Sequence, residues 1–412
     1  MRKGAGRADL REYNERTIIH ALRRFGPASQ AQLAERTGLS VPAVSSIVRR
    51  LAAEGYLHEV RSEASGVGRP RAIVDIVRDA AYSIGVHIDP SRVTAVLLDL
   101  GGTAVAGRHS ADVRPRDPAG TLDLAAELVA EVSSTLADPD LITGAGLAVP
   151  GRIDPEQGAI VDSVWLPGWN GTPLREGLGR RIGHEVRFLK DTHAAVTGEL
   201  WVRGRDLLEG TVVYVYLGIG TGFGIAVDGD VVTGLSGNAG QVGRIFEALG
   251  PGSPATSAGT EAAAPLGPTA QDPVALVAAA HEHGILTGEP PEPGDLLAID
   301  RAFRSVCRSD AAEPLLAGAA DRVAQAAAIA ASLLDAQVVV FGGPYEELVG
   351  RRYRARTREV LTSGDPAGVP PVTLLASALG ADAGAIGAAS AVWDAQLVPR
   401  APADRAWRPR TR

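Results

Sequence analysis

The chain has 412 residues, too many for one small domain and enough for two or three, and its formal net charge is −7. The charge is uneven: residues 1–78 hold 14 Lys and Arg against 8 Asp and Glu, a net +6, which leaves −13 for the remainder, so a basic head sits on a body that repels nucleic acid. The single cysteine, Cys307, excludes an intramolecular disulfide framework and a cysteine-based zinc cluster.

The segment from Pro27 to Arg71 has the pattern of a winged helix-turn-helix. Ser29-Gln30-Ala31-Gln32 is a Ser-x-x-Gln capping box opening a short helix that runs to Thr37, where Gly38 stops it. Leu39 plugs the turn, and Ser40 is placed to cap a second helix in which Val44, Ile47, Val48 and Leu51 share one face. The opposite face offers Pro42, Ser45 and Ser46, followed by Arg49 and Arg50. A recognition helix needs that order: small residues let the backbone sit deep in the major groove, and the cations reach base edges or phosphates. Leu57–Val60 and Ala72–Ile76 read as hairpin strands, with Arg69 and Arg71 on a wing suited to a narrow minor groove. Duplex DNA is the predicted partner. The bland alternative is a three-helix bundle with a solvated polar face.

From Tyr82 onward strands and helices alternate. Ser83–Ile88, Arg92–Leu100 and Ala104–Ala111 read as a strand meander, Thr121–Leu136 as an amphipathic helix, and Gly144–Val149 as a buried strand ending at Pro150-Gly151. Val186–Leu189 is a further strand with Asp191 at its C-terminal end, the edge where open α/β sheets bind ligands. Thr211–Leu217 and Phe223–Val227 flank Gly218–Gly222, a turn that either wraps a phosphate or simply reverses the chain. Ala248–Ala270 reads as a low-complexity loop. Helices follow at Pro273–His283, Asp295–Ser309 and Leu315–Leu334, then strands at Gln337–Phe341 and Val372–Leu375 around a basic helix, and a last helix to Trp393. The two meander-like halves hint at a duplicated α/β unit. No secretory signal pattern and no long apolar span occur, which predicts a cytoplasmic protein without a membrane partner.

The order of these features resembles the ROK family, which groups sugar-responsive repressors with sugar kinases. The resemblance rests on the winged head, Val149-Pro150-Gly151, Leu166-Pro167-Gly168-Trp169, Asp191 before a helix, Gly218–Gly222, Gly237–Gly243 and Gly342-Gly343, and covers about Asn14 to Trp393. It implies an α/β chain with a winged helix-turn-helix over 1–78 and a two-lobed actin-like (ribonuclease-H-like) ATPase-type domain over 79–397; residues 398–412, basic and Pro-containing, read as a disordered tail. The resemblance also implies homodimers or homotetramers on palindromic operators.

Several kinase features of the family are altered here. The Asp-x-Gly-Gly-Thr phosphate loop aligns with His87-Ile88-Asp89-Pro90-Ser91; Pro90 has no N–H, Asp89 repels phosphate, and His87 replaces the carboxylate. Asp99-Leu100-Gly101-Gly102-Thr103 spells that motif, but after the second strand, where a hairpin turn is expected. The family's Asn-Asp-x-Asn matches Lys190-Asp191-Thr192-His193, and its Gly-Glu-x-Gly-His matches Gly240-Gln241-Val242-Gly243-Arg244. With no thiolates and no His at the matching position, the family's zinc site cannot form. The expectation is therefore a non-enzymatic regulator, most simply a repressor, with no cofactor and no metal.

Its cleft would use Asp191 and Gln241 for hydroxyls and Trp165 or Trp169 for stacking. Lys190, His193 and Arg244 would make it cationic, favouring a sugar phosphate or sugar acid over a neutral sugar. The alternatives are a closed, empty cleft on a constitutive DNA-binding protein, and a sugar kinase with a regulatory head.

Overall fold

The computed structural model describes residues 7–61, 72–249, 271–362 and 371–397, apart from residues 164, 167, 208 and 293. The described residues fall into two compact units. One holds those up to Tyr82, with Asp99–Thr103 and those from Val392; the other holds Ser83–Leu98 and Ala104–Ala391.

The first unit begins with α1 (Arg7–Phe25), β1 (Ala28–Ser29), α2 (Gln30–Thr37), α3 (Val41–Ala53), β2 (Leu57–Arg61) and β3 (Ala72–Ile76). Its helix boundaries are set locally. The Ser29 hydroxyl accepts from the Gln32 N–H while the Gln32 side chain accepts from the Ser29 N–H, closing the capping box. Gly38 ends α2 at φ 70°, a left-handed conformation that favours glycine. Ser40 caps α3 through the Ala43 N–H. Ile18 and Leu22 of α1, Leu33 of α2, and Val44, Val48 and Leu51 of α3 are buried together with Leu57, Val74 and Ile76 of the hairpin. The hairpin gains a third strand that the sequence reading missed: β1 pairs antiparallel with β3, giving the order β1-β3-β2. The wing tip, with Arg69 and Arg71, lies outside the described residues.

The remaining elements are β4 (Tyr82–Asp89), β5 (Arg92–Asp99), β6 (Ala104–Ser110), α4 (Pro118–Ser133), β7 (Ile142–Val149), β8 (Arg152–Asp154), β9 (Ala159–Asp162), α5 (Leu174–Ile182), β10 (Val186–Lys190) and α6 (Asp191–Arg203). After them come β11 (Thr211–Leu217), β12 (Thr221–Val227), β13 (Asp230–Val231), α7 (Gly243–Leu249), α8 (Pro273–Glu282), α9 (Leu296–Val306), α10 (Glu313–Leu334), β14 (Val338–Gly342), α11 (Arg351–Thr362), β15 (Thr373–Ala376) and α12 (Ala383–Leu397). Two five-stranded sheets result, in the orders β6-β5-β4-β7-β10 and β13-β12-β11-β14-β15. Each sheet has three consecutive strands on one side and two later strands on the other, so the hint of a duplicated unit holds. β10 runs parallel to β7, and β14 and β15 run parallel to β11 and to each other.

Strand periodicity places the core of the second sheet on both of its faces. Val213, Val215, Leu217, Val339 and Phe341 join a cluster with α8, α9 and α10, while the alternate residues Val212, Tyr214, Tyr216 and Val340 join Ala195, Val196 and Leu200 of α6. The sequence reading passed over the β8–β9 hairpin, α5 and α7. All three are short, and β8 and β9 have too few residues for alternation to register. The Asp99–Thr103 segment is a turn, as expected: the Asp99 N–H donates to the Thr103 carbonyl, and the Thr103 N–H donates to Asp99 Oδ1.

Candidate functional site

On the first unit the polar face of α3 is open. Val41, Pro42, Ser46 and Arg49 are exposed and Ser45 is half-buried, while Val44, Ile47 and Val48 point into the core. Ser40 is exposed, but its oxygen is engaged by the Ala43 N–H. Arg50 departs from expectation. Its side chain is 25% exposed and ion-pairs with Glu15 of α1 and, at 4.0 Å, with Glu54. One step along a helix turns a side chain by roughly 100°, which carries Arg50 off the face that presents Arg49 and onto α1.

In the second unit a cavity of about 140 Å³ lies at the C-terminal ends of strands from both sheets. Asp89 ends β4 and Pro150-Gly151 follows β7. Lys190, Asp191 and Thr192 mark the junction of β10 and α6. Tyr216 comes from β11, Ile219-Gly220 lie in the turn to β12, and Thr221-Gly222 open β12. Asp162, Ser163, Trp165, Gly240–Gly243 and Asp272 complete the wall. Four predicted residues thus meet there: Trp165, Lys190, Asp191 and Gln241. Trp169 does not, being fully buried with its indole N–H donating to the Pro115 carbonyl.

Two predicted residues lie elsewhere, and the expected cationic cleft is corrected with them. His193 Nε2–H donates to the Ala239 carbonyl at 2.9 Å, and burial pushes its pKa down to about 4, so it is neutral near pH 7. Arg244 is 66% exposed on α7 and pairs with Glu247 at 3.1 Å. Lys190 remains, donating to the Gly151 carbonyl at 2.6 Å. Burial lowers its pKa, and the charge of Asp191 opposes that shift. Against it stand Asp89, Asp162, Asp191 and Asp272, so the cleft is acidic. The sequence reading missed Asp162, Ser163, Thr192, Tyr216 and Asp272 as wall residues. They come from separate segments, and only their positions at strand ends carried any signal.

Burial raises Asp191 to about 6, with Lys190 and the Thr192 N–H working against it and Asp89 adding to it. Asp89 is raised chiefly by burial as well. Its Oδ1 accepts from the Ser91 N–H at 2.9 Å and the Ser91 hydroxyl at 2.6 Å. The hydroxyls of Ser163, Thr192 and Tyr216 are buried and bond to no protein atom. Orphaned hydroxyls of this kind mark places where water or a bound molecule completes the hydrogen bonds. No three His, Cys, Asp or Glu side chains converge as a metal site among the described residues, and Arg244, which the resemblance sets at the family's zinc-contacting His, is exposed and pairs with Glu247. Among the described residues no helix is long and apolar enough to cross a membrane.

His87, beside this cleft, is fully buried, and neither ring nitrogen has a partner. Burial pushes it down to about 3; Arg92 adds to the shift and Asp382 opposes it. Between pH 6.5 and about 3 the unfolded chain therefore binds a proton that the folded chain refuses. The stability that neutral His87 contributes is complete above pH 6.5 and is lost as pH falls through that window. Asp191 acts oppositely, its raised pKa favouring the fold below pH 3.8 and losing that contribution as pH rises through about 6. His87→Leu should flatten the loss of stability on acidification, read from urea unfolding midpoints at a series of pH values; an unchanged slope would contradict a neutral buried imidazole.

The profile of the ROK family matches residues 83–395, and that of the MarR family matches residues 12–66. The xylose repressor of Bacillus subtilis (strain 168) is 26% identical over 239 residues, 57% of this chain and 61% of that protein. The DNA-binding transcriptional dual regulator NagC of Escherichia coli (strain K12) is 28% identical over 261 residues, 60% of each protein. The chain thus spans about three fifths of the length of these curated relatives. Among solved structures, a ROK family transcriptional regulator described as a homologue of the E. coli MLC protein aligns with a TM-score of 0.67 at 18% identity, over 94% of this chain and 97% of that one. A ROK family glucokinase from Streptomyces griseus, in complex with glucose and AMPPNP, aligns with a TM-score of 0.60 at 23% identity, over 76% of this chain and 99% of that one. These likenesses show the fold: a MarR-type winged helix joined to an actin-like, sugar-kinase-type α/β domain.

Proposed function

The chain belongs to the ROK family, and from that premise we propose that it is a sequence-specific DNA-binding transcriptional regulator, a repressor, whose kinase-like cleft senses a sugar without phosphorylating it. The observation that carries this reading is the closed turn at Asp89. A phosphate cradle needs free backbone N–H groups. Here Pro90 has none, and the Ser91 N–H is already taken by Asp89. A carboxylate at that point repels the anion the loop exists to hold. The residues present do not fit a nucleotide, and in this reading the cleft transfers no phosphoryl group.

What remains is a sugar-sized cleft with Asp191 and Gln241 for hydroxyls, Trp165 for stacking, and hydroxyls in its wall that lack partners. Relatives named as xylose repressor and as NagC support a regulator, and the open face of α3 supplies a means of reading DNA. In this reading Pro42, Ser45, Ser46 and Arg49 contact the major groove, Arg69 and Arg71 serve as wing contacts, and a homodimer engages a palindromic operator. The sugar regulates only if it binds the DNA-bound and free states with different affinity. A sugar kinase with a regulatory head is the second reading, favoured by the survival of Asp191 at the strand end.

One experiment separates the two. The purified chain is titrated onto fragments of its own upstream region across a salt series, with and without sugars, while ATP consumption is followed with the same sugars. We expect salt-sensitive DNA binding that one sugar weakens, and no ATP turnover. Sugar-dependent ATP hydrolysis would install the kinase reading instead.

A further inference from the structure

The cleft's charge is unbalanced, and the imbalance has a location. Four aspartates border the cavity, and Lys190 is the one cationic side chain among its described lining residues. Lys190 is already engaged by the Gly151 carbonyl. Asp272 is engaged by Thr221 and Gln271. Asp89 and Asp191 are different. Both are buried, at 3% and 8% exposure, and both border the same small cavity. Each spends Oδ1 on a neighbouring residue, Ser91 or Thr192, and neither forms a salt bridge among the described residues. Arg92, the cation nearest in sequence to Asp89, is instead paired with Asp382 at 2.7 Å.

Four carboxylates against one engaged ammonium, with neither Asp89 nor Asp191 in a salt bridge among the described residues, leave a space that favours positive charge. Burial is the main cause of the raised pKa of Asp191; Lys190 opposes the shift, and Asp89 adds a smaller upward pull, the same repulsion seen from the proton's side. The wall also holds hydroxyls without partners, from Ser163, Thr192 and Tyr216, and these suit a hydroxyl-rich frame. We propose that the cleft takes an aminated carbohydrate, an amino sugar or a related aminated polyol, with its ammonium held between Asp89 and Asp191. The proposal rests on the sugar-sensing reading above and narrows it. An ammonium brings its own positive charge to its hydrogen bonds with both carboxylates, whereas a neutral hydroxyl brings none and an anion is repelled. Asp89 is the residue that sets the sign: it stands where the kinases of the family place a phosphate turn, and its carboxylate inverts that turn's preference.

The test uses the full chain and matched pairs of probes. Glucosamine, galactosamine, mannosamine and 6-amino-6-deoxyglucose are each titrated calorimetrically beside the parent hexose, with glucose 6-phosphate and gluconate as anionic probes, all at neutral pH. We expect at least one amine to bind about ten-fold or more tightly than its hydroxyl twin, and Asp89→Asn to erase the ratio between those twins. Should Asp89→Asn fail to fold, the comparison of twins on the unaltered chain decides alone. Parent hexoses binding as tightly as every amine, or either anion binding more tightly, would overturn the proposal and leave the sugar-sensing reading standing. If no carbohydrate binds at all, the sensing reading falls and takes the proposal with it.

Discussion

Ser46→Asp should abolish operator binding while leaving the fold intact. Ser46 is exposed on the polar face of α3, one turn before Arg49, and its side chain forms no contact that the head needs for stability. A carboxylate there is brought against the polyanionic backbone when the helix enters the major groove. Like charges set against each other at an interface cost several kcal/mol, so affinity should fall by roughly 100-fold or more. Ser46→Ala keeps the space and adds no charge, so it should stay within about ten-fold of the unaltered chain. Arg49→Ala is the complementary test. If Arg49 meets a phosphate, binding should weaken on every sequence and the salt slope should drop by about one. Arg50→Ala should instead lower the stability of the head modestly, because it removes the α3 partner of Glu15 and leaves Arg11, at 3.2 Å on α1 itself, beside that carboxylate. Fluorescence anisotropy across a salt series, with thermal melts of each variant, reads all four. Operator affinity unaffected by Ser46→Asp would remove α3 from the interface.

The largest stability effect is expected at Gly387. The Cβ of an alanine there would fall on the Ala194 carbonyl of α6, and at Gly198 a new Cβ would lie 2.9 Å from the Gly387 Cα. The two helices approach backbone to backbone, which requires the absence of a side chain and not an unusual φ. Gly85 of β4 and Gly146 of β7 meet α12 in the same way, against the carbonyls of Ala385 and Ala388. Overpacking costs about 1–3 kcal/mol when side chains can adjust. Here the obstacle is backbone, which cannot rotate away. Gly387→Ala should therefore cost ~3 kcal/mol or more and lower Tm by roughly 6–12 °C. It should also weaken ligand binding, since α6 carries Asp191 at its first turn. Gly318→Ala, in α10, is the control of opposite sign: its Cβ would meet nothing closer than 3.9 Å, and the helix gains about 0.5–1 kcal/mol. Equal Tm values for the two variants would refute the close approach.

Much of this architecture was legible beforehand because it is written locally. The Ser29–Gln32 box, Gly38 and the period of Val44, Ile47, Val48 and Leu51 each act within one turn of helix, so the head could be read without its neighbours. The strands of both sheets were found from apolar runs bounded by turns, and Asp191 from its place between a strand and a helix. Strands too short for alternation to register, such as β1, β8 and β9, left no such trace.

The site divides along the same line. Residue identity alone establishes that Pro90 donates no hydrogen bond and that the head is basic. It could not fix which way a helical side chain faces. Asp191 and His193 lie two residues apart, hence roughly 200° around α6, so one borders the cavity while the other turns to the Ala239 carbonyl. Nor could it set the cleft's charge. Asp89, Asp162, Asp191 and Asp272 are spread over 184 positions, and only the two-sheet fold brings them to one wall while sending Arg244 out to Glu247. Local hydrogen bonding and periodicity are properties of a few neighbouring residues, whereas charge balance depends on which distant residues share a desolvated space, and that is decided by tertiary packing.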